Sequence, residues 1–471
     1  MRWPSFLGKT RGVNTQAFFN ILSSIILSGI NFITIPIFTR MLGTANYGRF
    51  SVYHSWLLII ACFIDLCCRQ GLATAKYQFG EDAYYRYRSS TLFMGTCFGV
   101  VCIVLGFVFR NLLSSFLGYA PCWSVLLVAT AYAYSVVEFA KQSWIYEKQA
   151  QKNFLVSSVV SLATVVLSLI LIRRFDEDAL YLGRIIGFCI PYIIAGVLLW
   201  IAMFAKGSTL YKKEYWRYAL VLGTPIIFHL LSQSILTQSD RVMMQHYGID
   251  DGEIGIYSFF YTFTGIVTTI LNALNVSWCP FYYDYLHAED YDTIKKKSKN
   301  YMQLFTIIVC GFLLVSREVS CLFADASYQT GINVLPILTV GIFFIFMYQF
   351  PVNFEFYHKK TRIIAGGTIC AGVMNILLNA LLIPPYGMYG AAVATAISYG
   401  ALFIGHFYIS TKVLKEHFHI RLAEYAPYLL SVAGTSVAFY LAEGLWVIRW
   451  IAGTALGVYL VFKVIRRKEI F

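Results

Sequence analysis

Charge is scarce in this sequence. Only 13% of its 471 residues are charged, whereas soluble domains carry about one quarter. No sizeable polar region interrupts the apolar stretches, so a soluble domain has no room. Nucleotide-driven and hydrolytic motifs are missing as well. There is no Gly-x4-Gly-Lys-Ser/Thr loop to cradle phosphates, which excludes ATP drive of that type within the chain. His-Glu-x-x-His and Gly-x-Ser-x-Gly are absent, and no long external loop could house a glycosyltransferase or polymerase site. The eleven cysteines form no Cys-x-x-Cys and no His/Cys metal spacing. Most, such as Cys62, Cys97, Cys102, Cys189, Cys310 and Cys370, lie in apolar stretches and read as small buried residues. The expectation is of no enzyme, no cofactor and no metal.

Apolar length is what the sequence does have: 58% of residues are hydrophobic, and mean hydropathy is +0.64. About fourteen stretches approach the ~20 residues that cross a bilayer. The expected fold is an all-α polytopic membrane protein. A weak echo between residues 36–51 and 225–259 suggests a parallel repeat. It divides the chain into an N-terminal lobe of six helices (1–205), a basic aromatic connection (206–218), a C-terminal lobe of six helices (219–411) and two extra helices (412–471). The apolar run after Arg2, Lys9 and Arg11 is too long for a signal peptide and reads as a retained first span.

The net charge of +13 is distributed as membrane orientation demands, not as a nucleic-acid patch. Of the 37 Lys and Arg residues, 27 fall in the tails and alternate loops, 9 in the opposite loops, and Arg69 inside a span. By the positive-inside rule both termini are cytoplasmic in a cell membrane.

Two stretches carry polar faces that lipid would not tolerate. On a wheel of ~100° per residue, Gln16, Asn20, Ser24, Asn31 and Thr34 share one face of 13–39. Asp65, Arg69 and Lys76 share one face of 51–75. A polar interior and interhelical hydrogen bonding both account for the first face. The acid and base of the second favour function. His229, Gln233 and Asp240 line 219–239, with Arg241 at its outer end, where snorkelling also accounts for the charged pair. Glu138 with Lys141 reads as an internal ion pair. Asn272, Asn275, Asn375 and Asn379 read as helix–helix contacts. Glu355 and His358, beside Lys359, read as interfacial.

The stretch Pro36-Ile37-Phe38-Thr39-Arg40-Met41-Leu42-Gly43 with Asn46-Tyr47-Gly48 resembles the opening of polysaccharide repeat-unit flippases, the carriers of O-antigen and capsule units. Asp240-Arg241 followed by Gly255-Ile256-Tyr257-Ser258 resembles the opening of their second half. Asn375 to Asn379, Ile383-Pro384-Pro385-Tyr386-Gly387 and Gly390 to Thr395 are similar to their most recognisable segment. The resemblance covers nearly the whole chain and extends to the superfamily of multidrug extruders and the lipid II flippase. It implies two lobes arranged in a V and alternating access. The implied substrate is a polyprenyl-diphosphate-linked oligosaccharide, moved from the cytoplasmic to the outer leaflet for lipopolysaccharide or capsule synthesis. Implied partners are that lipid-linked oligosaccharide, membrane lipids, a polysaccharide polymerase, a chain-length regulator and H⁺ or Na⁺ as coupling ion, with no nucleic acid.

A diphosphate needs fixed cations, and guanidinium donates to phosphate in pairs. Arg69 is the first expected contact, with Asp65 as its partner in the empty carrier and Lys76 beyond it. His229, Gln233, Asp240, Arg241, Asn20 and Asn31 are further cavity candidates. A cation-coupled multidrug extruder and a non-transporting scaffold of a glycan-assembly complex remain the competing readings.

Overall fold

The computed structural model describes residues 13–414 and 418–467, leaving aside the side chains of 13–28, 31, 82 and 464–467. Among the described residues there is no strand. Fourteen α-helices run in order: α1 (Val13–Ala61), α2 (Leu72–Phe79), α3 (Glu81–Val108), α4 (Arg110–Leu117), α5 (Pro121–Tyr146), α6 (Ala150–Ile172), α7 (Leu180–Gly207), α8 (Lys213–His246), α9 (Asp251–His287), α10 (Tyr291–Phe323), α11 (Leu335–Tyr357), α12 (Thr361–Tyr408), α13 (Leu422–Leu441) and α14 (Trp446–Arg467).

Among the described residues ten helical segments are long and apolar enough to cross a membrane, and the chain is a multi-pass, all-α membrane protein. The fourteen apolar stretches map onto these helices with α1 and α12 each taking two. α1 has 49 residues, about 74 Å at ~1.5 Å per residue, more than twice the ~30 Å hydrocarbon core. Gly43, at φ 64°, kinks it. α12 repeats the device: 48 residues, Pro384-Pro385, then Gly387 at φ 52°. Glycine takes positive φ without the Cβ penalty, so each break is one residue wide. The connection 40–50 between the stretches 13–39 and 51–75 is therefore helical apart from Gly43.

The stretch 51–75 departs further from expectation. Its helix stops at Ala61; a turn and a 3₁₀ segment, Cys68–Gly71, separate it from α2. Leu66 and Cys67 take φ of 54° and 51°. Asp65 Oδ1 accepts the Cys67 N–H at 3.0 Å, a local side-chain bond that competes with the helix. Asp65, Arg69 and Lys76 consequently do not share a face of one continuous helix.

Two compact units divide the chain, Met1–Gln245 and His246–Phe471. In the first, Arg88 of α3 is buried against Glu147, and it also donates to the Met203 carbonyl at 3.2 Å. Trp216 of α8 donates from its indole to the Ser90 carbonyl at 3.1 Å, fixing α8 to α3. In the second, rings fill the core: Phe305 meets Phe346 at 4.3 Å, and Trp278 meets Tyr301 at 5.6 Å. α13 and α14 are clipped to α10 at both ends. Arg317 pairs with Glu443 and Arg449 with Glu318, while Glu424 meets Lys295 and Lys299 at 3.2 and 3.3 Å.

A methyl group at Gly387 would collide with the Glu253 carboxylate, which accepts the Met388 N–H at 2.7 Å. Gly387→Ala should destabilise the protein by about 1–3 kcal/mol, measured as a lower unfolding temperature in detergent. Gly434→Ala, whose added methyl meets open space, should not lower it.

Candidate functional site

Three helix faces in the first unit converge on one wall. After its kink, α1 presents Phe50 and His54. α5 presents Tyr134, Glu138 and Lys141, and α7 presents Arg184, Phe188 and Tyr192. Spacings of three and four keep each set on one face. Ring centroids then follow one another: Tyr134–Tyr192 at 5.2 Å, Tyr192–Phe188 at 4.7 Å, Phe188–His54 at 5.2 Å and His54–Phe50 at 5.9 Å. All are half-buried except Phe188, which is buried.

A guanidinium stands at each end of this run. Arg184 lies over Phe38 and Phe50, 3.8 and 4.8 Å from the ring centroids. It donates to Ser168 Oγ at 2.7 Å. Among the described residues no carboxylate pairs with it. At the Tyr134 end, Arg69 lies within electrostatic range of Asp65, Glu138 and Tyr134. It forms no ion pair or hydrogen bond with them. Glu138 is held instead by Lys141 at 2.7 Å. A second cation, Arg241, acts on His54 together with Arg184.

Electrostatics separates these cations from Arg88. A charge removed from water is tolerable when paired, and costly when not. Arg88 has its own carboxylate. Arg184 has rings and one hydroxyl, which stabilise a cation but do not neutralise it. The arrangement sets Arg184 beside planar surfaces with no carboxylate contact of its own.

The expected site residues are dispersed. Asp65 is buried, and its Oδ2 has no hydrogen-bond partner; it makes no ion pair with Arg69. Its segment is packed close against α8, where a methyl at Gly223 would lie 2.8 Å from the Leu66 carbonyl. Lys76 is half-buried and paired with Glu81 at 2.7 Å. That carboxylate, by its hydrogen bond, holds the Lys76 ammonium above its ordinary range. His229 is half-buried with Nδ1 unpartnered, and Gln233 is exposed on the same helix. Asp240 and Arg241 are buried inside α8, which continues to His246, so interfacial snorkelling does not describe them. Arg241 donates to the Thr237 carbonyl at 3.0 Å. The side chains of Asn20 and Asn31 lie outside the described residues. The structure adds Arg184 and His54. Arg184, Phe188 and Tyr192 repeat every four residues, a signal the sequence carried, but Arg184 precedes the apolar core 185–205 and reads there as a loop charge. Among the described residues no cluster of three or more His, Cys, Asp or Glu could hold a metal.

The family model described as "Polysaccharide biosynthesis protein" matches residues 14–285. The chain is 21% identical over 364 residues to the Lsg locus putative protein 1 of Haemophilus influenzae, covering 74% of this chain and 85% of that protein. It is 24% identical over 366 residues to an uncharacterized membrane protein of the same organism, covering 75% and 85%. Its fold is similar to that of the lipid II flippase MurJ in an inward closed conformation: TM-score 0.72, 16% identity, 97% of this chain and 99% of that one. An inward-facing multidrug resistance transporter of the MATE family gives TM-score 0.67 at 13% identity, covering 84% and 98%. At these identities the solved structures show a common fold alone.

The contrast between paired and unpaired cations is testable. Arg88→Met strands Glu147 and should destabilise by about 3–5 kcal/mol. Arg184→Met strands no carboxylate and should leave the unfolding temperature unchanged or raise it. Equal losses of thermal stability in the two variants would contradict this account of Arg184.

Proposed function

The chain belongs to the polysaccharide biosynthesis protein family, and from that premise we propose that it flips polyprenyl-diphosphate-linked oligosaccharides across the cell membrane. The observation that carries the reading is the aromatic wall bracketed by Arg69, which makes no ion-pair contact with the carboxylates near it, and Arg184, which lies against rings and a hydroxyl. A diphosphate esterified at both ends is a dianion, and each guanidinium offers it paired donors. Ring faces between the cations suit the apolar faces of sugars, while half-buried Tyr134 and Tyr192 offer hydroxyls to sugar oxygens.

In this reading Arg69 meets the diphosphate at the cytoplasmic side, where the substrate loads, and Arg184 meets it toward the outer side. The positive-inside distribution of Lys and Arg supports those sides and cytoplasmic termini. His229, Gln233, Asp240 and Arg241 on α8 are further contacts along the path, and Asn20 and Asn31 of α1 are cavity residues. Lys76 meets the headgroup only if Glu81 releases it. The lobes 1–205 and 219–411, with 412–471 as an appended pair, are the units expected to alternate. The chain acts as a carrier, not as an enzyme, within the inner membrane. A polymerase and a chain-length regulator would take the product onward, and H⁺ or Na⁺ would drive the cycle. The fold shared with multidrug transporters adds no drug substrate to this reading.

The test uses proteoliposomes loaded with a polyprenyl-diphosphate oligosaccharide. A glycan-modifying enzyme outside reports inner-leaflet substrate as it becomes exposed. Wild type should expose it much faster than empty liposomes, and Arg69→Ala should abolish the acceleration with the protein folded and inserted. Unaccelerated exposure by folded wild type, across several glycans and with H⁺ and Na⁺ gradients imposed, would overturn the reading.

A further inference from the structure

The second unit contains a buried acid–base pair that the wall does not use. Glu355 of α11 and His406 of α12 are both essentially without solvent exposure, and His406 Nδ1 lies 2.8 Å from Glu355 Oε2. The reading of Glu355 as interfacial is thereby corrected. Beyond His406 the chain widens into a π-helical turn, Ile409–Val413, a local form that recurs at functional sites. Ser410 in that turn donates to Glu355 Oε1 at 3.2 Å. The other imidazole nitrogen, Nε2, is buried without a partner. It faces Gly367 in the first half of α12, where any Cβ would collide with it.

The neighbours leave the charge of the pair uncompensated. Tyr348, edge-on to the imidazole at 5.0 Å, is the titratable group that faces it from α11. His358 and Lys359 lie beyond, at the end of that helix, and Lys412 is exposed. Tyr425 of α13 is buried among Phe350, Phe403 and Phe407. No cation among these meets the carboxylate. With neutral imidazole and ionised Glu355 the pair carries a net negative charge in an apolar interior, which is costly. One more proton makes it neutral, as imidazolium with carboxylate or imidazole with carboxylic acid.

We propose that Glu355 and His406 form a buried binding site for a single proton, and that release of this proton accompanies the transport cycle. The proton occupies the pair while Glu355 and His406 are both buried, as here. It leaves through Nε2 when the Gly367 side opens to water. The coupling to transport rests on the flippase reading; the proton binding does not.

The experiment uses the full chain in lipid nanodiscs, with ¹⁵N-histidine NMR following His406 across pH. A parallel assay measures proteoliposome flipping with and without an imposed pH gradient. His406 should show one titration, assigned by its loss in His406→Gln. Glu355→Gln should move that titration to lower pH and reduce gradient stimulation of flipping from several-fold to none. Ser410→Ala keeps both titrating groups and removes a donor to the carboxylate. It should move the titration to higher pH, and it serves if Glu355→Gln does not fold. A His406 titration indifferent to both variants would overturn the site. A titration that responds, with flipping that ignores the gradient, would overturn the coupling. A responsive titration with no wild-type flipping at all would leave the site standing and overturn the flippase reading.

Discussion

The cost of charge in hydrocarbon organises this protein. Water is not available to solvate an ion at membrane depth, so each buried charge must be neutralised by a neighbour, by a ligand or by a proton. The structure gives its buried and half-buried charges three different kinds of surroundings. Arg88 has Glu147, and Arg449 has Glu318. Glu355 has His406, a partner that neutralises it only when protonated. Arg184 has Phe38, Phe50 and Ser168, none of which carries charge.

Backbone irregularity follows the same constraint. Gly43 and Gly387 bend two long helices without exposing a polar loop. The break at Leu66 and Cys67 opens the helix where Asp65 can satisfy a freed N–H. Irregular backbone at membrane depth survives only where protein surrounds it. Here α8 supplies that cover, since Gly223 admits the Leu66 carbonyl. The packed helices thus hold a short 3₁₀ segment bearing Arg69 near Tyr134 of the aromatic wall.

Much of the architecture was legible in the sequence because hydrophobicity alone marks helices that cross a membrane. The fourteen stretches, the ion pair of Glu138 with Lys141, and the family resemblance all follow from local patterns. What failed depended on chain partners or on backbone turns. The shared face of Asp65, Arg69 and Lys76 assumed helix where two residues at positive φ interrupt it. Asp240 and Arg241 looked terminal because apolarity faded there, yet α8 runs on to His246. Arg184 sat one residue outside an apolar core, so hydropathy assigned to a loop a side chain that the fold turns inward. Glu355 meets a histidine 51 residues away, a separation no window reports.

The most direct test is a structure of the protein in nanodiscs with a bound polyprenyl-diphosphate oligosaccharide. The account predicts that the diphosphate lies in contact with the Arg69 or Arg184 guanidinium and that sugar rings lie along Tyr134, Tyr192 and Phe188. A diphosphate bound away from both arginines, with the aromatic wall empty, would contradict it.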